Sequence, residues 1–282
     1  ITGNIYAEKK AVEAHGGKLV FTDDITLSST SLLNEHFGVF PPETKTYLQN
    51  FKQRYSSEEI ISVVQGLKNL NVLVVGDAIV DEYHYVDQLG QSSKGANLAV
   101  KFNSKEQFAG GSLAVANHLA GFVKNVTLVT GLGEQNSHEE FIRSKLQKSI
   151  SFQPFYFRDA PTIVKRRYVD ADLAKLFEVY YYNDQPSSEY IDSEVCAWLE
   201  KNTEQFDVVI VPDFGNGFIS TNMTQKLCDK ARFLAINTQV NSGNRGYHSI
   251  NRYSRADFVS LNGPEIRMAT HNRHDSYECL AK

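Results

Sequence analysis

Cysteine, methionine and tryptophan are scarce in this chain of 282 residues, with three, two and one copies. Cys196, Cys228 and Cys279 lie far apart, so neither a metal-binding spacing nor a disulfide framework emerges. That pattern fits a reducing compartment, and the cytoplasm is the expected location. No apolar run approaches the ~20 residues that a membrane-spanning helix needs. The opening ITGNIYAEKK lacks the basic head and apolar stretch of a secretory signal. Neither sign of charge dominates: 29 Lys and Arg stand against 33 Asp and Glu, a net charge of −4. Neither nucleic acid nor an anionic membrane is therefore expected as a partner. The first residue is Ile rather than Met, and the expectation is that the chain starts inside a longer polypeptide.

The chain is 41% hydrophobic and 11% aromatic, enough for a sizeable core. Residues 5 to 15 read as a helix stopped by Gly16-Gly17, LVF at 19 to 21 as a short strand, and 27 to 37 as a capped helix. GVFPPETK marks a linker, and a helical stretch follows over roughly 45 to 68. From NVLVV at 71 to 75 onward the rhythm is strand, loop, helix. VTLVT (126–130), DVVIV (207–211), FLAIN (233–237) and DFVSL (257–261) supply further strands, with helices between them. Alternation of this kind predicts an α/β fold with a doubly wound parallel sheet. The runs at 152–157, 162–169 and 173–183, with 83–86 and 98–102, are rich in Tyr, Phe and Val and predict a small antiparallel flap. Within it, KRRY at Lys165 to Tyr168 reads most plainly as a solvated strand face.

Ligands of open α/β sheets sit at the carboxyl ends of the strands. The residues just past each apolar run are therefore informative. GDAIVD succeeds the first and carries Asp77 and Asp81; GLGE succeeds the second. PDFGNG succeeds the third and carries Asp213; NGPE succeeds the last and carries Asn262 and Glu265. Gly110 and Gly111 precede another helix. Each of these alone is as well explained by a helix cap, an ion pair or a tight turn. Their convergence on one edge predicts a shared cleft. A dinucleotide-binding oxidoreductase would place G-x-G-x-x-G after the first strand, and GDAIVD does not supply it.

In order, VLVVGDAIVDEYHYV, AGGSLAVANHLAGF, VTLVTGLG, PTIVKRRYV, VVIVPDFGNG and SLNGPE resemble the ribokinase-like (PfkB) carbohydrate kinases. The likeness covers roughly 68 to 282 and is nearest to the kinase half of bifunctional heptose-phosphate kinase/nucleotidyltransferases. It implies a ribokinase-like doubly wound sheet with a β lid over a sugar or sugar phosphate, using ATP and Mg²⁺. By the same resemblance Asp77, Asp81, Gly110, Gly111, Asn117 and Asp213 line the sugar side. Lys165 and Arg167 on the lid cover it and meet a phosphate on the substrate. Asn262 and Glu265 match the N-x-x-E motif on the nucleotide side, with Glu265 ordering Mg²⁺ through hard oxygen donors. EKKAVEAHGGKLVFTDDITLSSTSLL resembles the closing segment of cytidylyltransferase-like domains, without their H-x-G-H.

The resemblance divides the chain into a nucleotidyltransferase-like α/β remnant (1–40), a linker and helix (41–66), and a kinase domain (67–282). Four positions depart from the family pattern: Asn216 stands for a lysine, Ala114 for an asparagine, and Asn237 and Gln239 for an aspartate and a lysine. The family's late G-x-G-D, which supplies its catalytic base, does not appear before Lys282. An inactive kinase fragment is the resulting expectation, with a non-catalytic sugar-binding or scaffold module as the alternative. An exposed lid edge further predicts a homodimer through the lid.

Overall fold

A computed structural model of the chain describes residues 5–19, 40–93, 95–183, 185, 189–244 and 247–281. Two compact units, Ile1–Ile60 and Ile61–Lys282, divide it. The strand expected at 19–21 beyond Leu19 and the helix expected at 27–37 lie outside the described residues.

In the first unit α1 (Ile5–Ala14) ends at a turn in which Gly16 takes a φ of +75°, open to glycine without strain. The single helix expected over 45 to 68 is instead two, α2 (Pro42–Arg54) and α3 (Ser57–Gly66). The break comes from a reciprocal cap. Glu59 Oε2 accepts from the Ser56 backbone N–H at 2.7 Å, and Ser56 Oγ accepts from the Glu59 N–H at 3.2 Å.

The second unit is built on a six-stranded sheet. Its strands are β1 (Asn71–Val75), β4 (Asn125–Gln135), β5 (Ile150–Pro161), β8 (Val208–Asp213), β9 (Leu234–Thr238) and β10 (Phe258–Ser260). They lie in the order β10-β9-β8-β1-β4-β5, and every pairing is parallel. Central β1 is apolar from Val72 to Val75 because helices cover both faces. Val72 and Val74 point into one buried cluster with Leu113, Ala116 and Leu128. Leu73 and Val75 point into the other, with Leu199, Val211 and Met223. Helices α4 (Ser112–Leu119) and α5 (Glu139–Lys145) supply the first face; α6 (Glu189–Asn202) and α7 (Thr221–Lys230) supply the second. Ser220 caps α7, its Oγ accepting from the Met223 N–H at 3.0 Å.

Four more strands make the lid: β2 (Ala78–Gln91), β3 (Leu98–Gly111), β6 (Ile163–Val169) and β7 (Lys175–Tyr181), in the order β3-β2-β6-β7. The outer pairs are antiparallel, and β2 with β6 is parallel. FQPFYF at 152–157, expected in this flap, belongs instead to β5 at the edge of the large sheet, in register with Leu128 to Gly133. GLGE, expected as a turn, continues β4 as strand.

Candidate active site

Between β1 and β2 only Gly76 and Asp77 intervene, so the chain leaves the large sheet and enters the lid across the carboxyl edge. Gly76 is required there: a Cβ would come within 2.6 Å of the Pro212 carbonyl on the neighbouring strand. The Gly76 carbonyl is held by the hydroxyls of Thr130, at 2.6 Å, and Ser112, at 3.1 Å.

Asp77 is buried, at 1% exposure. Its carboxylate accepts from the backbone N–H of Phe218 at 3.2 Å and, at a longer 3.5 Å, of Asn216. The side chain thus clamps the loop after β8. Burial, and then the neighbouring Asp213 charge, push its carboxyl up to about 6. Asp213 goes the other way. Burial alone would raise it, but His248 at 3.1 Å, Arg252 at 2.9 Å and the Tyr253 hydroxyl at 2.7 Å outweigh that and hold it below the usual carboxylate range. The same environment, burial first, drives the Tyr253 hydroxyl well up. Of this coupled pair Asp213 carries the charge.

A pH dependence results for Asp77. Its folded pKa lies above the value of 3.8 expected when unfolded, so its contribution favours the fold in acid and is lost as pH rises from about 4 to about 6. Asp77→Asn should therefore flatten that limb of the stability profile, removing on the order of 2–3 kcal/mol of pH-dependent change. Chemical denaturation at a series of pH values checks it; identical profiles for both proteins would refute it.

Asp81 lies within β2, directly opposite Lys165 on β6 and Phe108 on β3. Gly110 makes room for it, since a Cβ there would sit 1.9 Å from Asp81 Oδ2. Gly111, at φ +59° and ψ −135°, holds a backbone conformation that L side chains avoid, and its Cβ would meet the Asp77 carbonyl at 2.5 Å. The two glycines thus fit the chain around the two aspartates.

Lys165 is not solvated, contrary to the plain reading of KRRY. It is 6% exposed, and its ammonium lies over the Tyr180 ring at 5.4 Å with no side-chain hydrogen bond or ion pair among the described residues. Burial lowers its pKa, while Asp77 and then Asp81 oppose the shift. Arg167 is satisfied within the lid, donating to Asp81 at 2.5 Å and Glu178 at 3.2 Å. Asp77, Asp81, Gly110, Gly111, Lys165 and Asp213 are thereby gathered around the carboxyl edge and the adjoining lid.

Three of the expected residues also have structural partners. The Asn117 amide donates to the Lys145 carbonyl at 2.9 Å and its Oδ1 accepts from the Gln147 N–H at 2.9 Å, so it ties α4 to the chain before β5. Asn262 and Glu265 form the capping box of α8 (Gly263–Thr270). Glu265 Oε2 accepts from the Asn262 N–H at 2.8 Å, and Oε1 from the Val240 N–H at 3.2 Å. No group of three or more His, Cys, Asp or Glu that would hold a metal occurs among the described residues. Each Glu265 oxygen accepts one hydrogen bond and keeps a lone pair, so Glu265 could offer Mg²⁺ a hard oxygen donor but not a coordination set by itself.

His248, Arg252 and Tyr253 complete the site and escape sequence reasoning. They come from a segment without periodicity, and only the fold brings them to Asp213. The loop between them and β9 is knit by amides: Asn241 and Asn244 both donate to the Phe214 carbonyl, at 2.8 and 3.1 Å.

No family model matches the chain. Among solved structures, it aligns with the Arabidopsis thaliana ribokinase complexed with ribose and ATP at TM-score 0.51 and 14% identity, over 76% of this chain and 66% of that one. With Escherichia coli phosphofructokinase-2 in complex with fructose-6-phosphate the TM-score is 0.55 at 10% identity, covering 75% and 68%. The chain has a ribokinase-like fold. In sequence this ribokinase-like chain is similar to proteins described as "Bifunctional protein HldE". The one from Trichlorobacter lovleyi is 23% identical over 209 residues, 74% of this chain and 42% of that protein. The one from Magnetococcus marinus is 26% identical over 204 residues, 71% and 41%. The ribokinase-like chain thus spans less than half the length of these curated relatives. No helix among its described residues is long and apolar enough to cross a membrane.

Proposed function

We propose that the chain carries a carbohydrate kinase domain, which transfers a phosphoryl group from ATP to a hydroxyl of a sugar or sugar phosphate. The observation that carries this reading is Lys165. A largely buried lysine side chain whose ammonium lies over the Tyr180 ring, without a side-chain hydrogen bond or ion pair among the described residues and near the Asp77 and Asp81 charges, is placed to meet an anionic or oxygen-rich ligand. Phosphoryl transfer depends on such positioned positive charge. Asp81, already paired with Arg167, offers further acceptor lone pairs to substrate hydroxyls. Asp77 fixes the loop that faces them. No step is assigned to Mg²⁺. The similarity to bifunctional proteins and to sugar kinases of the same fold supports the class.

A second reading, a sugar-binding module without turnover, is favoured by one observation: Glu265 is spent on a helix cap and no metal-binding carboxylate cluster accompanies it among the described residues. Dimerisation through the lid belongs to either reading, and light scattering on the purified chain tests it.

The two readings separate in one experiment. ATP turnover is measured against a panel of sugars and sugar phosphates, with binding read in parallel by thermal shift. Sugar-dependent ADP release supports the kinase; a thermal shift with no ADP favours the module. In either case Lys165→Met should reduce affinity for the active ligand at least about tenfold, the loss of one charge-assisted contact. It should also raise the unliganded unfolding midpoint, because an uncompensated buried charge is removed. Unchanged affinity together with a lower midpoint would defeat the assignment of Lys165.

A further inference from the structure

Three aromatic rings gather on one face of the lid. Tyr83 and Tyr85 follow Asp81 at every second position of β2, and Phe108 stands opposite Asp81 on β3. Together with Asp81 they line a hollow of about 330 Å³, at the lower end of the range for small-ligand sites. Tyr83 and Phe108 meet edge to face at 5.7 Å. Phe108 is 50% exposed, so the hollow is open to solvent and its ring is not spent on the core.

Rings elsewhere in the lid already carry cations. Lys165 lies over Tyr180, Arg166 over Tyr181, and Arg167 over Tyr83 at 5.3 Å. Tyr85 and Phe108 have no cation over them among the described residues. Negative charge stands beside them. The Asp81 side chain is 23% exposed and gives Oδ1 to Arg167, while Oδ2 has no hydrogen bond among the described residues. Glu106, opposite Tyr83 on β3, accepts from the Tyr85 hydroxyl at 2.7 Å and has no ion pair among the described residues. The positive groups of this face come from β6 and β7. Arg167 is shared between Asp81 and Glu178, Lys175 lies against Glu178, and Lys165 pairs in register with Asp81.

We propose that this hollow binds an organic ammonium ion, its alkyl groups against Tyr85 and Phe108 and its charge beside Asp81 and Glu106. Aromatic faces attract a cation through the ring quadrupole and shelter its alkyl groups from water, and the carboxylates add charge of the right sign. A hard divalent ion would want six or more oxygen donors, which two carboxylates among rings do not supply. An anion would meet both carboxylates. The site does not depend on the kinase reading, which asks of Asp81 only that it accept from hydroxyls.

Choline and 3,3-dimethyl-1-butanol share a shape and differ in charge, so together they separate a cation site from an apolar one. The whole chain and its Phe108→Leu and Glu106→Gln variants are titrated with each by isothermal titration calorimetry. Both substituted residues are exposed, and circular dichroism verifies that the variants fold. Choline should bind about tenfold more tightly than its neutral isostere. Phe108→Leu should weaken choline about fivefold and the alcohol less, and Glu106→Gln should weaken choline about threefold. Equal affinity for the two probes overturns the site. So does choline affinity that Phe108→Leu leaves unchanged, or a wild type that binds neither probe. Sugar-dependent ADP release by a chain that ignores choline defeats this site alone, whereas choline binding in a chain that never consumes ATP defeats the kinase reading alone.

Discussion

Gly111→Ala is expected to lower the thermal midpoint of the folded unit by roughly 6–12 °C, the equivalent of about 3 kcal/mol at this size. Two costs combine. The backbone at φ +59° and ψ −135° is strained for any L residue, which costs about 1–3 kcal/mol. A Cβ 2.5 Å from the Asp77 carbonyl must also displace backbone, not a pliable side chain, at a further ~1–3 kcal/mol. Relief by movement would shift Asp77 itself, so binding should weaken with stability. Gly66→Ala is the control: φ there is −62° and nothing lies within 4 Å of the new methyl, so it should be neutral or stabilise by about 0.5–1 kcal/mol. Differential scanning calorimetry of both variants decides the matter. A Gly111→Ala midpoint within error of wild type would show that the close fit around Asp77 is not rigid.

Asp213→Ala should be similarly severe, at about 3–5 kcal/mol, because it strands partners instead of opening space. Arg252, His248 and Tyr253 all direct polar atoms at that carboxylate, which is 1% exposed, and the nearly buried Tyr253 hydroxyl would be left without its partner. The pH signature identifies the cause. Asp213 has a lowered pKa, so the stability it contributes is present above the unfolded carboxylate range and is lost as pH falls through its folded value. The variant should lack that acid-limb loss. Removing the Asp213 charge should also let the Asp77 pKa fall from about 6, since that charge is the second cause of its elevation. Urea titrations at acid and neutral pH measure both effects. An acid limb as steep as wild type would refute the Asp213 assignment.

The large sheet is legible in sequence because its signal is local. NVLVV is apolar on both faces and could only be a strand covered on both sides. NGPE reads as a helix entrance and is one, complete with its capping box. FQPFYF misleads because aromatic richness with partial alternation suits a wet flap and a sheet edge equally well. Only its pairing with β4 decides between them. Lys165 looks solvated in sequence because KRRY shows nothing of Tyr180, which covers it from the next strand. The Asp213 network depends on residues brought from far along the chain by β9, and no pattern in sequence marks such contacts. Asn117 shows what residue type alone does not reveal: its amide ties α4 to the chain before β5.

The parallel pairing of β2 with β6 also constrains the order in which the protein can fold. β2 and β3 form a local hairpin, closed by a short connection from Gln91 to Leu98. Its partner β6 arrives only after the chain has laid down α4, β4 and β5 in the other sheet. Closing Asp81 against Lys165 before that excursion is complete would cost loop entropy with little yet gained in return. The cleft, and the environment that buries Lys165, are therefore late products of folding. A variant that slows assembly of the large sheet would delay appearance of the ligand site well after the hairpin has formed.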